Sequence, residues 1–189
     1  SDVCSSDLGG MPSLLRTALG DENADIRTVH RLDQVVSGLM VYAQNGETAS
    51  ELSRQIRADE FKKTYLAIVH GVPEARKGRM EDLLLRSKES RKTFVVKKPV
   101  RGAQEAILDY ELLGSNGERS LVAIELITGR THQIRVHLAS IQRPIVNDPL
   151  YNPRPVQGRM KLHAWKCGWS DLVSGRRVEI TDEPENEFW

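Results

Sequence analysis

The chain has 189 residues, 39% of them apolar and 28% charged, the length and composition of one ordinary domain, which excludes a disordered tail, a collagen-like repeat and a multi-span membrane protein. Its 27 basic and 26 acidic side chains leave a net charge of +1, but unevenly: residues 81–101 carry seven Lys or Arg against three acids, and residues 182–189 carry four acids and no base. Two cysteines, Cys4 and Cys167, are too few for a disulfide framework or a four-thiolate zinc site, and neither a bilayer-length apolar run nor a signal peptide is visible.

A reducing, cytoplasmic setting without a membrane partner is therefore expected. The basic stretch fits a localised polyanion groove, although on charge alone a solvated loop is the more common origin of such a run.

Residues 1–8, Ser-Asp-Val-Cys-Ser-Ser-Asp-Leu, show no periodicity and resemble a translated sequencing adapter. They are expected to be non-native and to stand where a first strand belongs. A domain over residues 9–189 is expected to follow, with an open apolar edge beside strands such as those over 39–43 and 66–69.

Residues 11–19 predict a short helix ended by Gly20. Residues 37–44 read as a strand, bounded by Gly38 and by Asn45-Gly46. Residues 47–58 predict a helix, with Ala49, Leu52 and Ile56 recurring at three- and four-residue intervals. Residues 63–70 are a buried-strand candidate, and 93–97, 105–113 and 120–127 are further strands. Gly114-Ser115-Asn116-Gly117 marks a hairpin between the last two. A helix over 130–141 and strands over 160–167 and 176–181 complete an α+β domain, a mostly antiparallel mixed sheet with flanking helices.

Two stretches are dense in reactive side chains. His30-Arg31-Leu32-Asp33 precedes a Ser-Gly turn; Asp33 there could be a catalytic carboxylate paired with a cation, or a turn residue neutralised by Arg31. Gly129-Arg130-Thr131-His132-Gln133-Ile134-Arg135-Val136-His137 is the second. Its histidines are five apart rather than the four that bring two zinc ligands together, so no metal site is expected. Arg130 and Arg135 could hold phosphates or fix a carboxylate.

Taken together with Thr64-Tyr65-Leu66-Ala67, Thr128-Gly129, Pro144-Ile145 with Asp148, and Leu162-His163-Ala164, these stretches resemble the RluA-type family of RNA pseudouridine synthases, in order and separation, from Val29 to about Thr181. The usual opening Asn-Lys-Pro-x-Gly-Leu segment is not seen, and Gln34-Val35-Val36 stand where members commonly show Lys-Asp-Thr.

The resemblance implies the family's catalytic fold and isomerisation of selected uridines in structured ribosomal or transfer RNA, by a monomer needing neither cofactor nor metal. It implies Asp33 as the catalytic aspartate, Arg135 as the cation that keeps it charged, and Tyr65 as the active-site tyrosine, stacking on uracil or moving a proton. Arg31 would sit near the stack vacated by a flipped base, and Leu162 would form the apolar wall under the uracil. His163 would support the structure, and Asp148 would be a structural element. Arg130, Lys62, Lys63 and the basic stretch 86–101 are candidate phosphate contacts. A catalytically inactive RNA-binding protein of the same fold is the alternative.

Overall fold

A computed structural model describes residues 10–154 and 157–188; the expectations about residues 1–8 and the strand before Met11 lie outside the described residues. The elements run α1 (Met11–Leu19), β1 (Arg27–Thr28), β2 (Ser37–Gly38), β3 (Tyr42–Ala43), α2 (Gly46–Arg57), β4 (Lys62–His70), β5 (Lys77–Arg86), β6 (Thr93–Val96), β7 (Gln104–Ser115), β8 (Arg119–Leu126), α3 (Gln133–Ser140), β9 (Leu162–Ser170) and β10 (Arg177–Thr181), with a 3-10 turn over Asn186–Phe188. No described helix is long and apolar enough to cross a membrane.

Seven strands lie in the order β10-β9-β4-β8-β7-β5-β6, every neighbouring pair antiparallel, and β2 adds one short parallel pairing to β9. The α+β class and the mostly antiparallel mixed sheet are as expected. β4 sits between β8 and β9 and is covered on both faces, which is why Leu66-Ala67-Ile68-Val69 is an unbroken apolar run. No open edge adjoins it, contrary to the expectation for residues 66–69.

On one face Tyr65, Ala67 and Val69 pack with Val122, Ile124 and Leu108 against Ile134 and Leu138 of α3. On the other, Leu66 and Ile68 pack with Val146 and Phe188. A third cluster seats α2 through Leu52 and Ile56 on Phe61, Cys167 and Trp169. α2 opens at Asn45, whose side chain accepts the Thr48 N–H at 2.8 Å.

Three elements differ from the sequence reading. The strand expected over 37–44 is two pieces, because Gly38 runs so close to β9 that a Cβ there would stand 2.3 Å from the Ala164 carbonyl oxygen. At φ 105° Gly38 also holds a backbone conformation that suits only glycine. The helix expected from 130 starts at Gln133, since His132 holds a left-handed φ of 57° that no helix continues through. β5 was not anticipated at all. Its Lys-Gly-Arg-Met-Glu-Asp opening hides the strand periodicity, and cross-strand pairs such as Arg79 with Asp109 account for the charges.

Candidate active site

A cleft of about 1400 Å³ opens between the 28–36 segment, the start of β4 and the 126–135 arch. Asp33 is the one carboxylate among its lining residues, which include Arg31, Arg57, Lys63, Arg86, Arg130 and Arg135. On a chain of net charge +1, this concentrates positive potential at one concave surface.

Asp33 and Arg135 are 102 residues apart in sequence and meet there, Arg135 Nη1 donating to Asp33 Oδ2 at 3.1 Å. Arg135 is only 2% exposed. Its other edge grips Asp148, which is fully buried, through Nε to Oδ2 at 2.8 Å and Nη2 to Oδ1 at 2.7 Å. The geometry is a bidentate fork, the strongest pairing a guanidinium makes.

Asp148 Oδ1 also accepts the backbone N–H groups of Leu150 and Tyr151. Burial pushes its pKa up, but the Arg135 and backbone hydrogen bonds outweigh this and hold the carboxyl below the usual range. Burial likewise opposes the charge on Arg135, and Asp148 and then Asp33 restore it and raise its pKa.

A second chain of contacts approaches the same oxygen of Asp33. Tyr151 Oη accepts the Thr93 N–H at 2.7 Å and lies 2.9 Å from His132 Nδ1. A phenol that accepts from the backbone has its own proton to give, so His132 Nδ1 accepts and Nε2 carries the hydrogen. That Nε2 lies 3.8 Å from Asp33 Oδ2, just beyond hydrogen-bond range. Burial, opposed by Asp33 and aided by Arg135 and Arg86, lowers the His132 pKa and favours this neutral form. The Tyr151 ring also packs under the Arg135 guanidinium, 5.2 Å from its carbon.

The arch itself is pinned by Gln133. Its Oε1 accepts from Thr128 Oγ1 at 2.7 Å and from the Arg130 N–H at 2.9 Å, while Nε2 donates to the Ile107 carbonyl at 3.0 Å.

The other expected site residues fall as follows. Tyr65 lines the cleft but is 6% exposed and belongs to the core cluster. Little of its ring is open for a base to stack on. Its hydroxyl has no hydrogen-bond partner among the described residues and stays protonated, burial raising its pKa, with Cys167 and Asp33 adding to the shift. A bulge in β9 opposite the Thr64/Tyr65 step adjoins it. Leu162 lines the cleft and is also core, packed in the same cluster as Tyr65.

Arg31 is exposed at the cleft and unpaired among the described residues. Arg130 lines the cleft with Nε donating to the Glu105 carbonyl at 2.8 Å. His163 bridges Ser37 Oγ and the Asp182 carbonyl at 2.9 Å each, a structural link.

Lys62 departs from the expectation and Lys63 does not. As successive strand residues they point to opposite faces. Lys63 lines the cleft, 8% exposed, its pKa lowered by burial. Lys62 faces away, its Nζ 2.8 Å from Asp59 and 3.2 Å from Glu125. His132, Tyr151 and Thr93 were not anticipated as a unit; the only sequence signal for them was the polar density around Thr131-His132-Gln133.

A sequence profile of the family described as RNA pseudouridylate synthase matches residues 13–140. The chain is 38% identical over 157 residues to ribosomal large subunit pseudouridine synthase D of Borreliella burgdorferi, covering 80% of this chain and 47% of that protein. It is 38% identical over 151 residues to an uncharacterized RNA pseudouridine synthase, YhcT, of Bacillus subtilis, covering 78% of this chain and 49% of that one. The chain thus spans about half the length of the curated relatives it matches. In fold it is similar to human RNA pseudouridylate synthase domain containing 4, with a TM-score of 0.79, 24% identity, and coverage of 94% of this chain and 78% of that one. With the profile spanning the cleft residues from Asp33 to Arg135, the chain belongs to the RNA pseudouridylate synthase family, and its motifs are of the RluA type.

Proposed function

We propose that the cleft converts uridine in RNA to pseudouridine with Asp33 as the catalytic carboxylate. The observation that carries this reading is the position of Asp33, the lone acid of a cationic cleft, with one oxygen held by Arg135. Both contacts to Asp33 fall on Oδ2, and Oδ1 has no partner among the described residues. Oδ1 is therefore the oxygen that meets the sugar.

The isomerisation breaks the C1′–N1 bond and forms a C1′–C5 bond; C5 loses a proton and N1 gains one. The reaction is redox-neutral and calls for no cofactor or metal. The Tyr65 hydroxyl, inside the cleft and still protonated, is the group placed to move that proton. Leu162 walls the base, His132 steadies Oδ2, and Arg31, Lys63, Arg86 and Arg130 neutralise backbone phosphates. The substrate is a structured ribosomal or transfer RNA whose uridine is flipped into the cleft, and the enzyme acts as a cytoplasmic monomer. The name of the Borreliella relative favours the large ribosomal subunit.

The test is to map pseudouridine in ribosomal and transfer RNA transcripts incubated with this chain or with Asp33→Asn. Wild type should convert a defined uridine. Asp33→Asn should bind the same RNA within a few-fold and form no product in a single turnover with excess enzyme, since charge is lost and shape kept. Product from Asp33→Asn would reject Asp33. RNA binding without conversion by wild type would favour the inactive binder.

A further inference from the structure

At the far end of β4 the side chains change from apolar to cationic. His70 follows Leu66 and Ile68 on the face of the sheet opposite Tyr65, and Arg119 stands directly across from it on β8. Arg154 Nη1 donates to His70 Nδ1 at 2.9 Å. Arg143 lies against Gly71, with Nε donating to the Val72 carbonyl at 2.7 Å and Nη1 to the Gln142 carbonyl at 3.0 Å. Arg119 and Arg154 are exposed.

None of the three arginines has a carboxylate partner among the described residues. The acids nearest in sequence form no ion pair with them: Glu118 beside Arg119 is unpaired among the described residues, and Asp148, the nearest to Arg143 and Arg154, is held by Arg135. Elsewhere on the sheet the contrast is plain: Lys62, Lys77 and Arg79 each hold an acid across a strand or turn. Three guanidinium groups gathered without a counter-charge repel one another, a cost that a bound anion removes. The arrangement is partly preorganised, because two of the guanidinium groups are already fixed by hydrogen bonds that leave other N–H donors free.

We propose that Arg119, Arg143 and Arg154, gathered around His70, form a second RNA contact site that grips phosphodiesters of the substrate outside the stem carrying the target uridine. This rests on the reading of the cleft as RNA-modifying. His70 lies five residue steps beyond Tyr65, about 17 Å along β4, and the two lie on opposite faces. A nucleotide flipped into the cleft and its immediate neighbours do not span that distance, whereas a folded RNA of several stems does. The site therefore selects for RNA size and fold, and it leaves the chemistry alone. Burial, then the charges of Arg154 and Arg119, lower the His70 pKa, so the imidazole accepts from Arg154 in the free protein and has a proton to take up when a phosphate arrives.

The experiment compares wild type with Arg119→Gln/Arg154→Gln, and with Arg119→Lys/Arg154→Lys as a charge-keeping second variant. Binding is measured by fluorescence anisotropy against two probes: a stem-loop short enough to fill only the cleft, and a ribosomal RNA fragment several stems long. The glutamine variant should bind the fragment about 10-fold more weakly, with the slope of log K against log salt shallower by about 2. Its affinity for the stem-loop should stay within twofold, and the lysine variant should recover most of the salt slope. Equal loss on both RNAs, or no loss on either, would overturn the site. If wild type binds neither RNA, the reading of the cleft itself fails, which is a different result from loss of the fragment's advantage alone.

Discussion

Arg135 holds two carboxylates on one guanidinium, and the division of labour between them follows from burial. Asp148 is fully buried and takes the bidentate edge; Asp33 is partly exposed and takes the remaining nitrogen. A change in the charge on Asp33 would thus not leave Arg135 uncompensated in the interior, because Asp148 stays as its counter-ion. Asp148→Ala should therefore destabilise the fold by about 3–5 kcal/mol in urea unfolding, the usual cost of stranding one member of a buried pair. Arg135→Lys, a point charge in place of a fork, should lower the turnover rate by more than 10-fold because one ammonium cannot keep both geometries.

The contacts that run from Thr93 through Tyr151 to His132 make a sharper demand. His132→Asn, a residue that tolerates the left-handed backbone, and Tyr151→Phe, which keeps the ring under Arg135, should each slow single-turnover conversion by about 10-fold at unchanged RNA affinity. The double variant should be no slower than either single one, since each breaks the same chain. Additive losses would show that the two residues act separately.

Of this site, the meeting of Asp33 and Arg135 follows from the family resemblance, whereas the residues by themselves leave Arg31 as an alternative partner. The fork to Asp148 was not legible, because a segment 13 residues downstream carries no local signal of which guanidinium it will face. Lys62 is turned from the cleft for a simpler reason: adjacent strand residues face opposite ways, and only Lys63 faces inward.

Among the elements, α2 matters most for the shape of the cleft, since Ile56 and Arg57 from its last turn line the wall. Beside the packing of Ile56, one amide anchors that turn. Gln55, 2% exposed, donates from Nε2 to the Ser170 carbonyl and accepts the Ser170 N–H at Oε1, both at 2.9 Å, clasping the helix to the end of β9. Gln55→Ala should orphan both backbone groups and cost about 1–3 kcal/mol, read as a lowered urea midpoint at unchanged m-value. The helix itself was legible from its apolar spacing, starting one residue earlier than expected, at Gly46. The clasp was silent, since a glutamine on the polar stripe looks the same whether it meets water or a strand. α3 teaches the converse. Its apolar and basic residues run on past its true start, and only the backbone angle at His132 shows that Arg130 and Thr131 belong to the arch.

At the scale of the molecule, four histidines share one bias, and it sets how the fold answers to acid. His30, His70, His132 and His137 all have lowered pKa values, burial being the first cause in each. His30 shows why at the atomic level. Its Nε2 accepts the Val41 N–H at 3.0 Å, so the ring must be neutral with its proton on Nδ1, and that Nδ1 is buried without a partner. Protonation would set N–H against N–H beside Phe61, with Lys63 nearby to oppose the charge.

A base whose pKa is lower in the fold than in the open chain binds fewer protons when folded, so stability rises with pH through the interval between the two values. For His30 that interval runs from 6.5 down to about 4. The stabilisation is complete above pH 6.5, falls away as the pH drops, and is gone near pH 4. A shift of that size corresponds to roughly 3 kcal/mol, a sizeable part of the roughly 5–15 kcal/mol that holds a domain together. His70, His132 and His137 act in the same direction. Urea unfolding should therefore give a midpoint that is flat from pH 8 to pH 7 and drops steadily between pH 6.5 and pH 4.5. In His30→Gln, which has no imidazole to charge, that drop should be visibly smaller, although the variant is less stable at neutral pH. A midpoint that does not move between pH 7 and pH 5, or an identical drop in His30→Gln, would mean that the buried imidazoles do not govern the acid limit of this fold.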